Sequence, residues 1–288
     1  MKTKSNLAGA FILLLMSGAA FSQGKITDGY SKTGRGLYYK IIVDNKMPKG
    51  KLGDIIKMNL EYLTQKDSTL FSTYDEEMGP VQFTCSTPTF NGDPMEGFAL
   101  LGAGDSAVFL MPADSAYRNQ EMPPFAKPGE FVKIHVKVLS MMTKEEFEKK
   151  KAEEMKIQME KDAVIIENYL ASKGLKAQKT PSGIYYILEK QGDGAKAEAG
   201  KMVSVNYTGK LLDGTVFDSS LKPGRTPYSF KLGTGAVIKG WDEGLLLLNA
   251  GGKATLIIPS PLGYGNRSNG AIPANAVMLF DVELVSVQ

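Results

Sequence analysis

The chain has 288 residues and a formal net charge of +3 at neutral pH. That length is sufficient for about two domains, each with its own hydrophobic core. Two of the positive charges, Lys2 and Lys4, lie in a predicted leader, so the remaining chain is nearly neutral and lacks the basic excess typical of nucleic-acid-binding proteins. We therefore expect no nucleic-acid partner.

Residues 1–22 have the three regions of a secretory signal peptide. The two lysines precede an apolar run at residues 7–16, and small residues follow at Ala20 and Ser22. The sequence predicts cleavage after Ser22. An N-terminal membrane anchor is the alternative, but the apolar run is shorter than the ~20 residues that span a bilayer, so no membrane span is predicted after cleavage.

The single cysteine, Cys85, bears on both the anchor and the redox chemistry of the chain. A lipid anchor would require a cysteine at the cleavage point, so the sequence favours a free periplasmic or secreted protein. One cysteine cannot form an internal disulfide. Because Cys85 alternates with Phe83 on one face of a predicted strand, we interpret it as a small buried apolar residue rather than a reactive thiol.

Two strand-rich stretches flank a charged helical stretch, which predicts domains at residues 23–142 and 175–288 and a linker helix at residues 143–174. The two stretches match at an offset of roughly 147 residues. A Gly-Leu-Tyr-Tyr run at residue 36 matches Gly-Ile-Tyr-Tyr at residue 183, and residues 67–71 match residues 213–217. The constant order of such matches predicts a duplicated fold.

The linker helix is predicted from its ends and its periodicity. Thr143 and Glu146 form a capping box, and Gly174 is a natural C-terminal stop. The helix could serve as a spacer, as the seam of a homodimer, or as an amphipathic helix packed on its own two domains. Along this otherwise Lys/Glu-rich helix, apolar residues recur at spacings of three and four and form a stripe, namely Met155, Met159, Ala163, Ile166 and Leu170.

Alternating residues in the second stretch predict antiparallel strands. Val203, Val205 and Tyr207 share one face of a strand, and the pair at residues 213–214 is a hairpin turn signal. Residues 237–241 begin the one short helix. Several such strands and one helix predict an α+β domain. Its aromatic residues exceed what the helix needs for packing, so we expect most of them in the core and a subset available to line an apolar pocket.

The motifs of this stretch, taken together, resemble FKBP-type peptidyl-prolyl cis/trans isomerases from about residue 180 to the end. The resemblance implies a half-wrapped antiparallel sheet with the short helix across its concave face and a prolyl pocket between them. The motifs are Val-Asn-Tyr-Thr-Gly at 205–209, Phe-Asp-Ser-Ser at 217–220, Val-Ile-Lys-Gly-Trp-Asp-Glu-Gly-Leu at 237–245, Ile-Ile-Pro at 257–259, Tyr-Gly at 264–265, Ile-Pro at 272–273 and Leu-Phe-Asp-Val-Glu-Leu at 279–284.

The same resemblance implies a role for each pocket residue. The floor is Trp241, the rim carboxylate is Asp218, and Tyr264 offers its hydroxyl to a substrate carbonyl. The loop lacks the histidine that some members carry near residues 268–269, and Ala271 replaces a larger apolar residue, so substrate preference is expected to differ. The walls are Tyr207, Phe217, Phe230, Val237, Ile238 and Phe280, the 237–238 turn presents a backbone N–H, Ile272 contacts the residue beside proline, and Tyr228 stands where many members carry phenylalanine.

This chemistry requires no cofactor and no metal ion, and we predict neither. The only histidine, His135, lies on the polar side of a predicted strand, so a histidine-based triad or a multi-histidine metal site is excluded. The implied function is isomerisation of X–Pro bonds in unfolded or partly folded exported proteins. The alternative is a non-catalytic chaperone or interaction protein that binds unfolded chains.

The first strand-rich stretch lacks the key residues of this pocket. We therefore expect a degenerate FKBP-like domain with little isomerase activity, retained for binding or assembly. In the sequence comparison Leu60 corresponds to Tyr207, Ser72 to Asp218, Phe90 and Asn91 to Val237 and Ile238, and Pro94 to Trp241.

Overall fold

The structure is a computed structural model that describes residues 25–74 and 78–288. The signal peptide predicted at residues 1–22 lies outside the described residues, so cleavage after Ser22 stays a prediction. Among the described residues, no helix combines the length and the apolar character needed to cross a membrane. The described chain divides after Phe147 into two compact units.

The first unit is an antiparallel sheet with two short helices. The strands follow the order β1-β2-β6-β7-β3-β4, and β5 pairs with β3. The elements are β1 (Ser31–Lys32), β2 (Tyr38–Val43), β3 (Ile55–Leu63), β4 (Thr69–Ser72), β5 (Val81–Thr84), α1 (Pro94–Phe98), β6 (Ser106–Pro112), α2 (Ala113–Ala116) and β7 (Phe131–Met142).

A long helix, α3 (Lys144–Lys173), leads into the second unit, whose sheet has the order β11-β10-β14-β13-β9-β8 with β12 paired to β10. Thr143 and Glu146 form the predicted capping box, since each side chain bonds the backbone amide of the other. The elements are β8 (Gln178–Lys179), β9 (Tyr185–Lys190), β10 (Met202–Leu211), β11 (Val216–Ser219), β12 (Tyr228–Lys231), α4 (Lys239–Gly244), β13 (Lys253–Ile258), β14 (Met278–Val287) and the 3₁₀ turns Leu245–Leu247 and Ser260–Leu262.

Both sheets have the same topology. Strands β8, β9, β13, β14, β10 and β11 occupy the places of β1, β2, β6, β7, β3 and β4, and the fifth strand of each unit pairs with the third. Helices α1 and α4 occupy the same place in the chain order. The predicted α+β class, with two FKBP-like domains and a long helix between them, is therefore confirmed.

The hydrogen bonds between β3 and β4 correct the residue correspondence expected at the rim of the pocket. Leu60 exchanges bonds with the backbone and hydroxyl of Thr73, as Tyr207 does with Ser220. Counting back two residues in each strand, Phe71 corresponds to Asp218. The expectation that Ser72 occupies this position is wrong by one residue.

The cause of this error lies in the preceding turn. Asp67 and Gly214 occupy the same turn position, and both have a positive φ, of 65° and 95°. Aspartate tolerates this left-handed conformation better than most residues do, because its short side chain can bond the local backbone. Residue identity instead aligns Asp67 with Asp213, which displaces the following strand by one position.

Helix α4 lies close to the sheet because two of its residues are glycines. A Cβ atom on Gly240 would lie 2.4 Å from a methyl carbon of Ile258, and one on Gly244 would lie 2.6 Å from a methyl carbon of Leu256. Real Cβ atoms do not approach this closely, so larger residues would push the helix away from the sheet. The glycines thereby position the tryptophan between them, Trp241, over the core.

The C-terminal half of α3 packs on the second unit. Ile166 and Leu170 are buried with Tyr185, Ile257 and other apolar residues of the sheet, and the Tyr185 hydroxyl donates a 2.7 Å hydrogen bond to Glu167. Of the three uses predicted for the apolar stripe, packing within the chain's own second unit is therefore the one observed for this half of the helix.

Replacement of Ile166 by alanine should destabilise the second unit by about 2–5 kcal/mol, because the fully buried side chain would leave a cavity. Val164→Ala is the matched control, since Val164 is 58% exposed on the same helix. Its effect should stay within about 0.5 kcal/mol. Urea unfolding followed by fluorescence of Trp241, the only tryptophan, measures both values; equal effects would contradict the docking of α3.

Candidate active site

An open cleft of about 470 Å³ lies between α4 and the sheet of the second unit. Its base is the ring of Trp241, which is 4% exposed. Ten of the eleven residues predicted for the pocket line the cleft. These are Tyr207, Phe217, Asp218, Tyr228, Val237, Ile238, Trp241, Tyr264, Ile272 and Phe280, and they are joined by Ala236, Asn269, Gly270 and Ala271.

The aromatic rings form a connected set around Trp241. The ring of Tyr207 meets the indole edge-to-face at 5.0 Å between centroids, and the ring of Phe280 does so at 5.4 Å. Phe217 meets Phe280 in the same way at 5.5 Å. The two rings of an edge-to-face pair attract each other in addition to the effect of burial, so the rings of the floor and the walls hold one another in position.

The rings of Phe217 and Phe280 fit beside the cleft only because residue 209 in strand β10 is a glycine. A Cβ atom at this position would lie 2.5 Å from the ring of Phe217 and 2.8 Å from the ring of Phe280. Both distances are far below a normal carbon–carbon contact. The absence of a side chain at Gly209 is therefore required for the two rings to lie beside the cleft.

The eleventh predicted residue, Phe230, lies behind the floor rather than in a wall. Its side chain is 5% exposed and packs on Trp241 at 5.9 Å between centroids. Its ring also stacks on the ring of Tyr228 at 5.5 Å between centroids. Phe230 therefore supports the floor and connects it to Tyr228 at the cleft mouth.

The rim carboxylate of Asp218 is held by three donors. One oxygen accepts the hydroxyl hydrogen of Tyr207, and the other accepts from the guanidinium of Arg225 and from the backbone amide of Ser219. The bond from Tyr207, with the help of Arg225, lowers the pKa of Asp218. Burial and the neighbouring carboxylate raise the pKa of Tyr207 to about 12. Asp218 is therefore ionised and Tyr207 neutral at physiological pH.

Arg225 has no counterpart among the residues predicted from the sequence. It lies in the Lys-Pro-Gly-Arg loop between β11 and β12, which carries no periodic pattern. A charged loop residue can find its partner only through the folded path of the chain. The one available signal was an arginine seven residues after a carboxylate that needs a cation.

A long loop after β13 supplies the opposite side of the cleft. Tyr264 is 40% exposed there, and its hydroxyl forms no hydrogen bond with any described residue. A pair of backbone bonds between Asn269 and Ile272 closes the loop tip. Across the cleft, the backbone amide of Ile238 precedes α4 and donates to no acceptor within residues 25–74 and 78–288. Both donors can therefore serve a carbonyl bound in the cleft.

The first unit carries a side chain at the position that Gly209 holds in the second unit. Tyr62 pairs with Phe71 as Gly209 pairs with Asp218, so a tyrosine stands where the second unit requires a glycine. The two rings meet edge-to-face at 5.9 Å, and burial raises the pKa of the Tyr62 hydroxyl. Pro94 begins α1 in the place of the floor tryptophan.

Two pKa shifts at the rim predict a pH profile without a limb near neutrality. The hydrogen bonds accepted by ionised Asp218 persist above its unfolded pKa of about 4 and are lost as the pH falls below that value. The hydrogen bond donated by neutral Tyr207 persists below about pH 10 and is lost as the pH rises through its folded pKa of about 12. Any catalytic rate at this cleft should be constant between about pH 5 and 9. A pH series of kcat/KM measures this; a limb near pH 7 would contradict it.

An open aromatic cleft between a short helix and a seven-stranded antiparallel sheet defines the class of FKBP-like folds. Residues 193–285 match the family model described as FKBP-type peptidyl-prolyl cis-trans isomerase. The FK506-binding protein 2 of Debaryomyces hansenii is 53% identical over 92 residues, which cover 32% of this chain and 67% of that protein. The chain belongs to the FKBP-type peptidyl-prolyl cis-trans isomerase family.

Two further relatives match a longer part of the chain. The protein named FKBP-type peptidyl-prolyl cis-trans isomerase FkpA of Aeromonas hydrophila is 44% identical over 150 residues, which cover 50% of this chain and 55% of that protein. The chain thus spans about half the length of this relative. The crystal structure of FkpA from Escherichia coli is 35% identical, with 52% of this chain and 75% of that chain covered and a TM-score of 0.39.

Proposed function

We propose that residues 175–288 catalyse cis/trans rotation about X–Pro bonds in polypeptide substrates. The observation that carries the proposal is the open cleft whose floor is Trp241 and whose walls are aromatic. Its volume and aromatic walls accommodate a pyrrolidine ring. The hydroxyl of Tyr264 and the amide of Ile238, which bond no acceptor among the described residues, suit the adjoining carbonyl. Membership of the isomerase family supports the same activity.

The reaction is a rotation, so the site has no bond to form or break. The barrier of about 18–20 kcal/mol arises because resonance gives the C–N bond partial double-bond character. In the twisted transition state this conjugation is lost, and the carbonyl carries less charge separation than in the planar ground state. An aromatic cleft that replaces the water around the bound imide therefore favours the twisted form, and only this difference between the two states accelerates the reaction.

Three groups at the edge of the cleft would orient the substrate. The hydroxyl of Tyr264 and the amide of Ile238 would donate to carbonyls beside the proline and hold them in the rotated position. Asp218 has two candidate roles, electrostatic help to the twisted imide and scaffolding. Its bonds to Tyr207 and Arg225 support scaffolding, because they occupy both carboxylate oxygens.

For the first unit, residues 23–142, we propose little or no isomerase activity and a role in binding or assembly. The support is physical. Tyr62 stands where the second unit has Gly209, and Pro94 stands in the place of the floor tryptophan, so this unit lacks the glycine and the indole on which the cleft of the second unit depends. The rim position carries Phe71, which cannot hold a partner hydroxyl as a carboxylate does.

The substrates proposed for the chain are unfolded or partly folded exported proteins, a choice based on the predicted signal peptide. The sequence also allows a homodimer through α3. Because Met159, Ile166 and Leu170 pack within the second unit, such a dimer would have to use the exposed side chains of Met155 and Ile157. Sizing chromatography of the mature chain tests this arrangement.

Replacement of Trp241 by alanine in the mature chain should lower kcat/KM for a proline peptide about a hundredfold or more, because the floor of the cleft is lost. A protease-coupled isomerisation assay measures the rate, and circular dichroism checks the fold. Val285→Ala is the control, since that side chain is 43% exposed on β14 and lies outside the cleft lining. Its rate should equal that of the unaltered chain.

The same variant also tests the first unit and the chaperone alternative. If the first unit is inactive, the residual rate of Trp241→Ala should equal the uncatalysed rate. Suppression of aggregation, if present, should survive the substitution, because binding of unfolded chains does not require the indole floor. A Trp241→Ala chain that isomerises proline peptides at the normal rate would refute the proposed site.

Export can be tested on the expressed protein. When the full chain is produced in a Gram-negative host, the periplasmic fraction should contain a protein whose first residue is Gln23, because cleavage is predicted after Ser22. N-terminal sequencing of that fraction checks the position. Recovery of the chain with an intact N-terminus from the cytosol would contradict export.

A further inference from the structure

A fully buried carboxylate on α3 bonds the loop that forms one side of the cleft. Asp162 has 0% exposure, and one of its oxygens accepts a 2.7 Å hydrogen bond from the backbone amide of Ser260, 98 residues further along the chain. Its other oxygen accepts a 2.7 Å bond from the side-chain amide of Gln158. A buried carboxylate is costly unless such bonds compensate for it, and bonds to a charged acceptor are the stronger kind.

The bonded residue, Ser260, is the first residue of the cleft loop, which we define as residues 260–276. Its carbonyl oxygen accepts from the amides of Gly263 and Gly265, at 2.9 and 2.8 Å. These two glycines flank Tyr264. The carbonyl of Gly265 then accepts a 2.7 Å bond from Asn275. A continuous series of hydrogen bonds thus runs from Asp162 to both sides of the tyrosine that faces the cleft.

Helix α3 also packs against the strands at both ends of the cleft loop. Ile257 precedes the loop and Val277 comes after it, and both are buried in one cluster with Ile166 and Leu170. The remainder of the loop is more exposed and carries Ile272, which lines the cleft. The loop is therefore anchored on α3 and open to substrate at its tip.

We propose that Asp162 is a positioning residue for the isomerase cleft, acting through the backbone of Ser260 to hold the cleft loop and its Tyr264 in place. The inference rests on the proposed function. It extends the functional unit to a helix that lies outside the residues matched by the family model, 193–285. The helix then has a part in catalysis in addition to linking two units.

Two substitutions that keep the branched shape of the side chain separate positioning from folding. Asp162→Leu removes the acceptor, and it should lower kcat/KM about tenfold because the loop is displaced from its bonded position. Asp162→Asn keeps an oxygen that can accept from Ser260, while Gln158 can turn its amide to match. It should retain activity within about threefold of the unaltered chain.

The matched control is Glu160→Leu, which removes an exposed carboxylate from the same helix and should leave kcat/KM unchanged. A double-mutant cycle with Tyr264→Phe then identifies the route of the effect. If Asp162 acts through the position of Tyr264, removal of the hydroxyl should reduce the rate less in the Asp162→Leu chain than in the unaltered chain. Additive effects, or equal losses for the leucine and asparagine variants, would overturn the proposal.

Amide hydrogen exchange of the unaltered chain tests the anchoring of the cleft loop directly. This measurement needs no variant and no catalytic activity. The amides of Ser260, Gly263 and Gly265 should be protected for as long as those of strand β13, because they belong to the same bonded series. Exchange of these amides within seconds would contradict the anchoring. If the chain shows no isomerase activity, the proposed function fails, and protected amides would leave the anchoring of the loop intact.

Discussion

The cleft of the second unit depends on a position in strand β10 that has no side chain. At Gly209 the rings of Phe217 and Phe280 occupy the volume that a Cβ atom would need. Those rings in turn pack edge-to-face around Trp241 and its neighbour Tyr207, so the floor, the walls and the opening are one packed arrangement. The site is therefore a property of core packing as much as of the residues that face solvent.

The first unit illustrates the effect of a side chain at that position. Its strand order is the same, yet Tyr62 stands at the position of Gly209 and Phe71 at that of the rim carboxylate. The duplicated fold needs only alternating apolar residues on its strands, which both copies retain. The cleft needs specific small and aromatic residues, which the first unit lacks. Fold and site thus place separate demands on the same sheet.

Local patterns in the sequence predicted the strands and the long helix, because each has a clear period or a capping signal. The resemblance to FKBP-type isomerases implied the ten residues that line the cleft, because its motifs are short and contiguous in the sequence. Features that depend on tertiary contacts were not predictable in this way. Phe230 alternates like a wall residue but lies behind Trp241. Arg225 and Asp162 find their partners only across the fold. Residue identity aligned Asp67 with Asp213 instead of Gly214, because the sequence does not show that Asp67 adopts the left-handed conformation.

The docking of α3 means that the folded module is larger than its most recognisable motifs. A fragment that begins at the start of the family match, residue 193, would lack both the helix and strand β9, and it would expose Ile257, Val277 and Leu279 to water. Such a patch favours self-association of the fragment. Evolutionary exchange of this domain between proteins would therefore have to carry the preceding helix with it, or replace the cover that the helix provides.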